Sequence, residues 1–330
     1  MKKKHTIVIF CDLRKAFDTC DHEILIKKLQ RMGIHGTELI WFKNYLSNRE
    51  QYVFINECIS KKLPIKKGVP QGSILGPLLF LIHINDLPDC SNMLSILFAD
   101  DTNLAYSDKD LPTLINKVNM EFRKVTQYFR INKLSLHVDK TKFILFSYIK
   151  TQNLPIELFI NHNSPHVINE NQDLVHRMER VDMSSKVPAI RFLGVYFDPS
   201  LNFKYHVETI ISKVSISLYT IRSVKNILTQ KALKSLYYSL IHCHLVYAVP
   251  IWSICNQRLK KELFVKQKIA IRIIQGLKYN DHTGPSFKSL KILPLPELIE
   301  FFALQFMQRF NQNYLPVMLC VTTPYAHPAS

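Results

Sequence analysis

Two adjacent carboxylates, Asp100 and Asp101, stand between two short apolar runs, and no other pattern in the chain constrains its fold as strongly. The runs 94–99 and 102–106 predict a β-hairpin with the acidic pair at its tip. Asp is common in turns because its side chain bonds its own backbone, so a purely structural role for the pair stays open.

A third carboxylate, Asp12, ends the apolar run 6–11. This run predicts a strand buried on both faces. If it neighbours the hairpin, three carboxylates converge and repel one another unless cations compensate. Mg²⁺ favours carboxylate oxygens and substrate phosphates, and two such ions support in-line phosphoryl transfer. The sequence therefore predicts a metal-dependent phosphoryl or nucleotidyl transferase.

The overall charge favours a polyanionic partner. The 330 residues carry 43 Lys and Arg against 26 Asp and Glu, a formal net charge of +17. Basic side chains that neutralise phosphates bind nucleic acid without sequence preference. A membrane is the weaker alternative, because no run reaches the ~18 apolar residues of a spanning helix.

The seven cysteines contain no C-x-x-C pair, which predicts reduced thiols in a nuclear or cytoplasmic protein that is not secreted. A zinc site at His242, Cys243, His244 and Cys255 is disfavoured, since their spacing matches no usual structural site.

Periodicity predicts the remaining elements. Helices are expected over 21–33, 37–46, 110–132, 206–228, 230–248 and 257–275, with an apolar helix ending near 86–88. Strands are expected within 51–65, 143–146 and 191–198. The polar residues 148–188 predict an insertion or long irregular loop.

Four segments resemble the palm motifs of reverse transcriptases from jockey-like, LINE-type retrotransposons, which lack long terminal repeats. They are FCDLRKAFD (10–18), GVPQGSILGPLLF (68–80), INDLP (84–88) and FADD (98–101). The resemblance implies an α+β fold, a polymerase palm with an antiparallel sheet and helices on one face, then an all-α thumb. The expected domains are a palm over 1–198 with incomplete fingers, a thumb over 199–280 and a helical extension over 281–330.

The resemblance also implies the site. Asp12, Asp100 and Asp101 would bind two Mg²⁺ ions, with Mn²⁺ as a substitute. Phe17 matches the aromatic gate beneath the incoming sugar, and Asp18 beside it is expected to be structural. The other implied contacts are nucleotide binding by Gln71, Gly72 and Lys140, a primer grip at Leu193, Gly194 and Val195, and phosphate contacts by Lys260, Lys261, Lys266 and Lys268. A solvated turn lysine is an equal alternative for Lys140.

The function so implied is RNA-directed DNA polymerisation from an RNA template, a DNA primer and dNTPs. The alternatives are an inactive remnant that still binds nucleic acid, and an RNA-dependent RNA polymerase, which the bulk of Phe17 disfavours. Relative to the family, we expect the chain to be truncated at its N-terminus, without complete fingers, an endonuclease or a C-terminal cysteine and histidine cluster.

Overall fold

The chain folds into two units, described here from a computed structural model that covers residues 4–149, 156–162, 174–312 and 314. Its contacts divide it into Met1–Val187, the sheet unit, and Pro188–Ser330, the helical unit. The predicted insertion and C-terminal extension therefore lie partly outside the described residues.

The sheet unit contains both strands and helices. Its strands are β1 (His5–Cys11), β2 (Glu50–Gln51), β3 (Phe54–Ile55), β4 (Cys58–Ile59), β5 (Leu63–Pro64), β6 (Leu94–Phe98), β7 (Asp101–Asp108), β8 (Lys142–Phe146), β9 (Phe159–His162), β10 (Leu174–Arg177) and β11 (Glu179–Arg180). Its helices are α1 (Ala16–Thr19), α2 (His22–Arg31), α3 (Gly36–Leu46), α4 (Leu75–Ile84) and α5 (Leu111–Ile131), with a 3₁₀ turn at Leu87–Cys90.

The main sheet has the order β11-β8-β1-β7-β6. All its pairs are antiparallel except β11 with β8. Apolar side chains from one face of β1, β7 and β8 share a core with α2, α4 and α5. This confirms the mixed α+β architecture with helices on one face of the sheet.

Strand β1 corrects one expectation. Its residues alternate between buried and half-buried, so only the face with Ile7 and Ile9 lies in the core, while Val8 and Phe10 are partly open. The continuous apolar run indicated burial on both faces because Val8 and Phe10 are themselves apolar. The half-open face is the one on which the carboxylate of Asp12 continues the alternation.

Two helices begin where their sequence predicts. Asp21 caps α2 by accepting from the backbone N–H groups of Glu23 and Ile24. Asp110 caps α5 by accepting from the N–H of Thr113. Each cap satisfies donors that have no partner within the helix, which fixes where the helix starts.

The expectation of an irregular loop over 148–188 is wrong for the residues that the structure describes there. Strands β9 and β10 form an antiparallel pair, and β11 extends the main sheet. Ile156, Leu158 and Ile160 are buried in the core of the sheet unit. Alternating apolar residues indicate a strand, but here they span only five residues within a polar stretch, whose composition indicates a loop.

The helical unit begins with a hairpin of β12 (Ile190–Phe192) and β13 (Val195–Phe197). Its helices are α6 (Lys204–Val224), α7 (Gln230–Tyr237), a π-helical segment (Tyr238–His242), α8 (Cys243–Val246), α9 (Val249–Trp252), α10 (Gln257–Gln275), α11 (Gly284–Leu290) and α12 (Leu295–Asn311). No helix in the described part of the chain is both long and apolar enough to cross a membrane.

The packing boundaries differ from the predicted domain limits at 198 and 280. Val195 of the hairpin is buried in the core of the helical unit, which assigns the hairpin to this unit. Phe287 and Leu290 of α11 lie in the same core as the helices before residue 280. Burial of side chains distant in sequence sets both limits, and local composition does not report it.

Candidate active site

The acidic pair lies at the tip of the β6–β7 hairpin, as the sequence predicts. Phe98 pairs with Asp101, which leaves Ala99 and Asp100 as a two-residue turn. Ala99 has a positive φ of 52°, a conformation that costs a residue with a Cβ ~1–2 kcal/mol. Strain of this kind persists where the surrounding structure enforces it. Here the β6–β7 ladder enforces it and presents both carboxylates at the sheet edge.

The third acid, Asp12, lies opposite this tip. Cys11, the last residue of β1, pairs with Thr102 in β7. One further step along this antiparallel register brings Asp12 opposite Asp101, on the same face of the sheet. The strand end and the hairpin tip are thus neighbours in the backbone register, while the convergence of the three carboxylates stays a prediction.

Electrostatics agree with this register. The pKa of Asp101 is raised, first by burial and then by the negative charges of Asp100 and Asp12. Within the described residues Asp12 forms an ion pair with Lys140, whose Nζ lies 3.7 Å from its Oδ2. Both groups are largely exposed, so this pair compensates little of the repulsion.

Reverse transcriptases use divalent metal ions, and the donor set fits such ions in part. Over 4–149, 156–162 and 174–312, no three acidic, histidine or cysteine side chains are spaced to hold an ion together. Mg²⁺ is usually held by one or two carboxylates, with substrate phosphates and water completing its shell. Asp12 and Asp101 suit that arrangement, because their mutual repulsion is what a cation would relieve.

Lys140 is placed by a loop that packs against the end of β1. The N–H of His137 donates to the carbonyl of Asp12 at 2.7 Å, and the N–H of Arg14 donates to Ser135 at 2.8 Å. Leu13 and Leu136 form an isolated β-bridge between the same segments. The backbone thus fixes the distance between Lys140 and the acidic cluster, although the ammonium group is solvated.

The segment 68–72 docks on the segment after Asp12 through its backbone. The N–H of Gly68 donates to Cys20 at 2.7 Å, and the N–H of Val69 donates to Phe17 at 2.8 Å. Gly68 has φ +88°, and a Cβ there would lie 2.8 Å from the backbone of Asp18. Only glycine permits this approach, which sets the segment of Gln71 beside that of Phe17.

The side chain of Gln71 donates a hydrogen bond from Nε2 to Oδ1 of Asp18 at 2.8 Å. A carboxylate only accepts hydrogen bonds, so the Gln71 amide turns its NH₂ toward Asp18 and leaves its oxygen for another donor. Asp18 lies in the first turn of α1, and this hydrogen bond to Gln71 is its side-chain contact across the two segments. Gly72 has φ +80° and open space where a Cβ would stand.

Phe17 is half-buried and packs on Phe80 of α4, with ring centroids 4.7 Å apart. The ring therefore has a fixed support on one side and an accessible side on the other. Gly76 allows the start of α4 to approach the segment before it, since a Cβ there would lie 2.4 Å from the carbonyl oxygen of Pro70.

The predicted primer-grip residues form the turn between β12 and β13. Leu193 and Gly194 are its two central residues, with φ values of 45° and 81°. Val195 is buried in the core of the helical unit and anchors the strand after the turn. The hairpin predicted over 191–198 is thus present, with its tip formed by Leu193 and Gly194.

The four lysines predicted to contact phosphates do not share one face of α10. Lys260 donates from Nζ to the carbonyl of Ser253 at 3.0 Å and is half-buried. Lys261 and Lys268 are seven residues apart and so lie on one side of the helix, whereas Lys266 falls on the flank. Arg258 extends the side of Lys261 and Lys268 at helical spacing, and we call these three residues the basic stripe. Arg272 lies on the same side, but its guanidinium donates to the carbonyl oxygen of Asp281 at 3.2 and 3.3 Å.

One buried polar cluster was missed by sequence reasoning. Lys28 Nζ lies 2.6 Å from the carbonyl oxygen of His83, 2.6 Å from Asp86 Oδ1 and 3.2 Å from Tyr128 Oη. Burial lowers the pKa of Lys28, and the carboxylate of Asp86 opposes this only in part. The cluster joins α2, α4 and α5 beneath the sheet. The acid of the INDLP motif was its only sequence signal.

Residues 1–197 match the family described as reverse transcriptase (RNA-dependent DNA polymerase), and the chain belongs to this family. It is 23% identical over 321 residues to the RNA-directed DNA polymerase from mobile element jockey of Drosophila melanogaster. That alignment covers 94% of this chain and 32% of the relative. The jockey-like affiliation predicted from the four motifs is confirmed.

A second curated relative and one solved structure are also similar to this chain. The chain is 24% identical over 332 residues to the probable RNA-directed DNA polymerase from transposon BS of the same fly, covering 94% of this chain and 33% of the relative. The chain thus spans about a third of the length of these relatives. Among solved structures, telomerase from Candida albicans in complex with a telomeric RNA fragment covers 87% of this chain and 50% of its own, at 11% identity and a TM-score of 0.44.

Proposed function

We propose that this chain carries the polymerising centre of an RNA-directed DNA polymerase, which joins a dNTP to the 3′-hydroxyl of a DNA primer on an RNA template. One observation carries the proposal: the β1–β7 pairing ends at Cys11 and Thr102, which directly precede Asp12 and follow Asp101, beside the turn at Ala99 and Asp100. The raised pKa of Asp101 is in keeping with it, because the charges of Asp100 and Asp12 contribute to the shift after burial.

In this proposal Asp12, Asp100 and Asp101 hold two Mg²⁺ ions, for which Mn²⁺ can substitute. Bound there, the ions would supply positive charge to the α-phosphate and lower the pKa of the primer hydroxyl. The chain's own residues position the reactants. Phe17 lies beneath the sugar, and Lys140 stands next to Asp12, where an ammonium group can donate to the departing pyrophosphate.

Further nucleic acid contacts are part of the proposal. The turn at Leu193 and Gly194 holds the primer end, and the basic stripe of α10 contacts phosphates. Gln71 and Gly72 contact the incoming nucleotide and the template. The net charge of +17 supports a polyanionic substrate, and the six described cysteines are free thiols, which suits a nuclear or cytoplasmic site of action.

A second candidate function is nucleic acid binding without catalysis. It is favoured by the basic stripe, which does not depend on the acidic cluster, and by the absence of a three-ligand metal set over the described ranges 4–149, 156–162 and 174–312.

Primer extension separates the two candidates. The purified chain is mixed with a DNA primer annealed to an RNA template, Mg²⁺ and dNTPs, and product length is followed with time. We expect extension that Asp12→Asn or Asp101→Asn abolishes while Asp89→Asn, an exposed acid in the 3₁₀ turn, leaves it unchanged. Template binding without extension in the wild type would favour the second candidate.

A further inference from the structure

Tyr247 clamps the turn between β12 and β13. Its hydroxyl donates a hydrogen bond to the carbonyl oxygen of Leu193. Its ring stands against Gly194, where a Cβ would lie 3.1 Å from Cε1 of the tyrosine. The side chain is nevertheless half exposed, so it is not part of the core of the helical unit.

The clamped turn is strained. Leu193 and Gly194 both have positive φ, as a two-residue hairpin turn of the tightest kind requires. Gly adopts this conformation readily and Asn or Asp tolerates it, but Leu rarely does. A strained residue of this kind keeps its conformation only if its surroundings hold it there, and among the described residues Tyr247 provides the one side-chain hydrogen bond to Leu193.

The backbone of Tyr247 is held in place by a hydrogen bond to its carbonyl group. The indole Nε1 of Trp252 donates to this carbonyl at 2.8 Å, and Trp252 is fully buried. The helix breaks at this point, because Tyr247 is extended and Ala248 has a φ of 52°. A π-helical segment, Tyr238–His242, lies one short helix earlier. Irregular backbone of this kind is common at functional sites.

We propose that Tyr247 is a positioning residue for the primer grip. It holds the turn of Leu193 and Gly194 in the one conformation that meets the primer terminus, while the turn itself makes the contact. This inference rests on the proposed function of the hairpin. It adds to that function a residue that lies 50 positions beyond the end of the hairpin and matches none of the four motifs.

The test separates this positioning role from a purely structural one. Tyr247→Phe keeps the ring against Gly194 and removes the donor to Leu193. Tyr219→Phe is the matched control, since Tyr219 is an exposed tyrosine of α6 in the same unit. For each protein the KM for annealed primer and template, the KM for dNTP and kcat are measured, together with hydrogen exchange of the Gly194 amide.

We expect Tyr247→Phe to raise the KM for primer and template about three- to tenfold, the effect that one neutral hydrogen bond supports. The KM for dNTP should stay constant, and exchange at Gly194 should become faster. Tyr247→Ala should exceed both effects. Tyr219→Phe should change neither.

Two results would overturn the inference. Equal changes in both KM values would show a general structural defect. An unchanged exchange rate at Gly194 would show that Tyr247 does not hold the turn. If the wild type neither extends nor binds a primer, the proposed function fails as well, and the exchange rate then decides only whether the clamp exists.

Discussion

Replacing Asp101 with Asn should make the metal-free protein more stable at neutral pH while it removes catalysis. Burial and the charges of Asp100 and Asp12 raise the pKa of Asp101, so its charged form is disfavoured in the fold. Asn keeps nearly the same shape without the charge. Functional sites commonly hold such destabilising groups, because the chemistry needs them.

The size of this stabilisation follows from the distances between the charges, which the strand pairing sets. Residues opposite each other in an antiparallel pair have Cβ atoms ~5 Å apart. Two unit charges at ~5 Å interact by ~0.8 kcal/mol at the dielectric constant of water. Two such neighbours, discounted for the exposure of Asp101 and for salt, give about 1 kcal/mol. In a domain of this size that raises Tm by ~2–4 °C.

The stabilisation expected from Asp101→Asn depends on pH. Because the folded pKa of Asp101 lies above its unfolded value, the destabilisation is fully present above the folded pKa and disappears as pH falls through it. Thermal unfolding is therefore measured for wild type, Asp101→Asn and the control Asp89→Asn at pH 7 and near pH 4, with a chelator present. A lower Tm for Asp101→Asn at pH 7, or an equal gain at both pH values, would refute the reasoning.

Three further results are expected. Phe17→Val should raise rNTP incorporation selectively, by roughly ten- to a hundredfold if the ring excludes the 2′-hydroxyl, whereas equal loss for dNTPs and rNTPs would make Phe17 a core residue. Asp18→Ala should raise the KM for dNTP about threefold in the wild type but not in Gln71→Ala, because the carboxylate acts through that amide; additive effects would separate the two residues. Charge removal at Lys261 and Lys268 together should reduce the slope of log K against log salt for nucleic acid binding by about 2, and an unchanged slope would place the phosphate contacts elsewhere.

Local signals predicted much of this molecule. The cap at Asp21, the start of the helix near Asp110, the hairpin around the acidic pair and the long amphipathic helices each depend on residues within a few positions of one another. Such signals survive in a single sequence because neighbouring side chains create them.

The remainder depends on contacts between distant segments. The docking of Gly68 on Asp18 joins residues 50 positions apart, and the contact of Tyr247 with Leu193 spans 54 positions. Nothing in the local pattern around Tyr247 distinguishes it from a surface tyrosine. The motifs predict the site, but only the fold shows which side chains pack around the predicted residues.

The central claim is that Asp12, Asp100 and Asp101 form one metal site, and counting bound Mn²⁺ by electron paramagnetic resonance tests it most directly. The full chain is titrated with Mn²⁺ in the presence of primer, template and one dNTP. The template sequence is chosen so that this dNTP can be added only once. We predict two ions per chain in the wild type and in Asp89→Asn, with at least one ion bound ~10-fold more weakly in Asp12→Asn and in Asp101→Asn. Unchanged number and affinity of ions in both site variants would contradict the account.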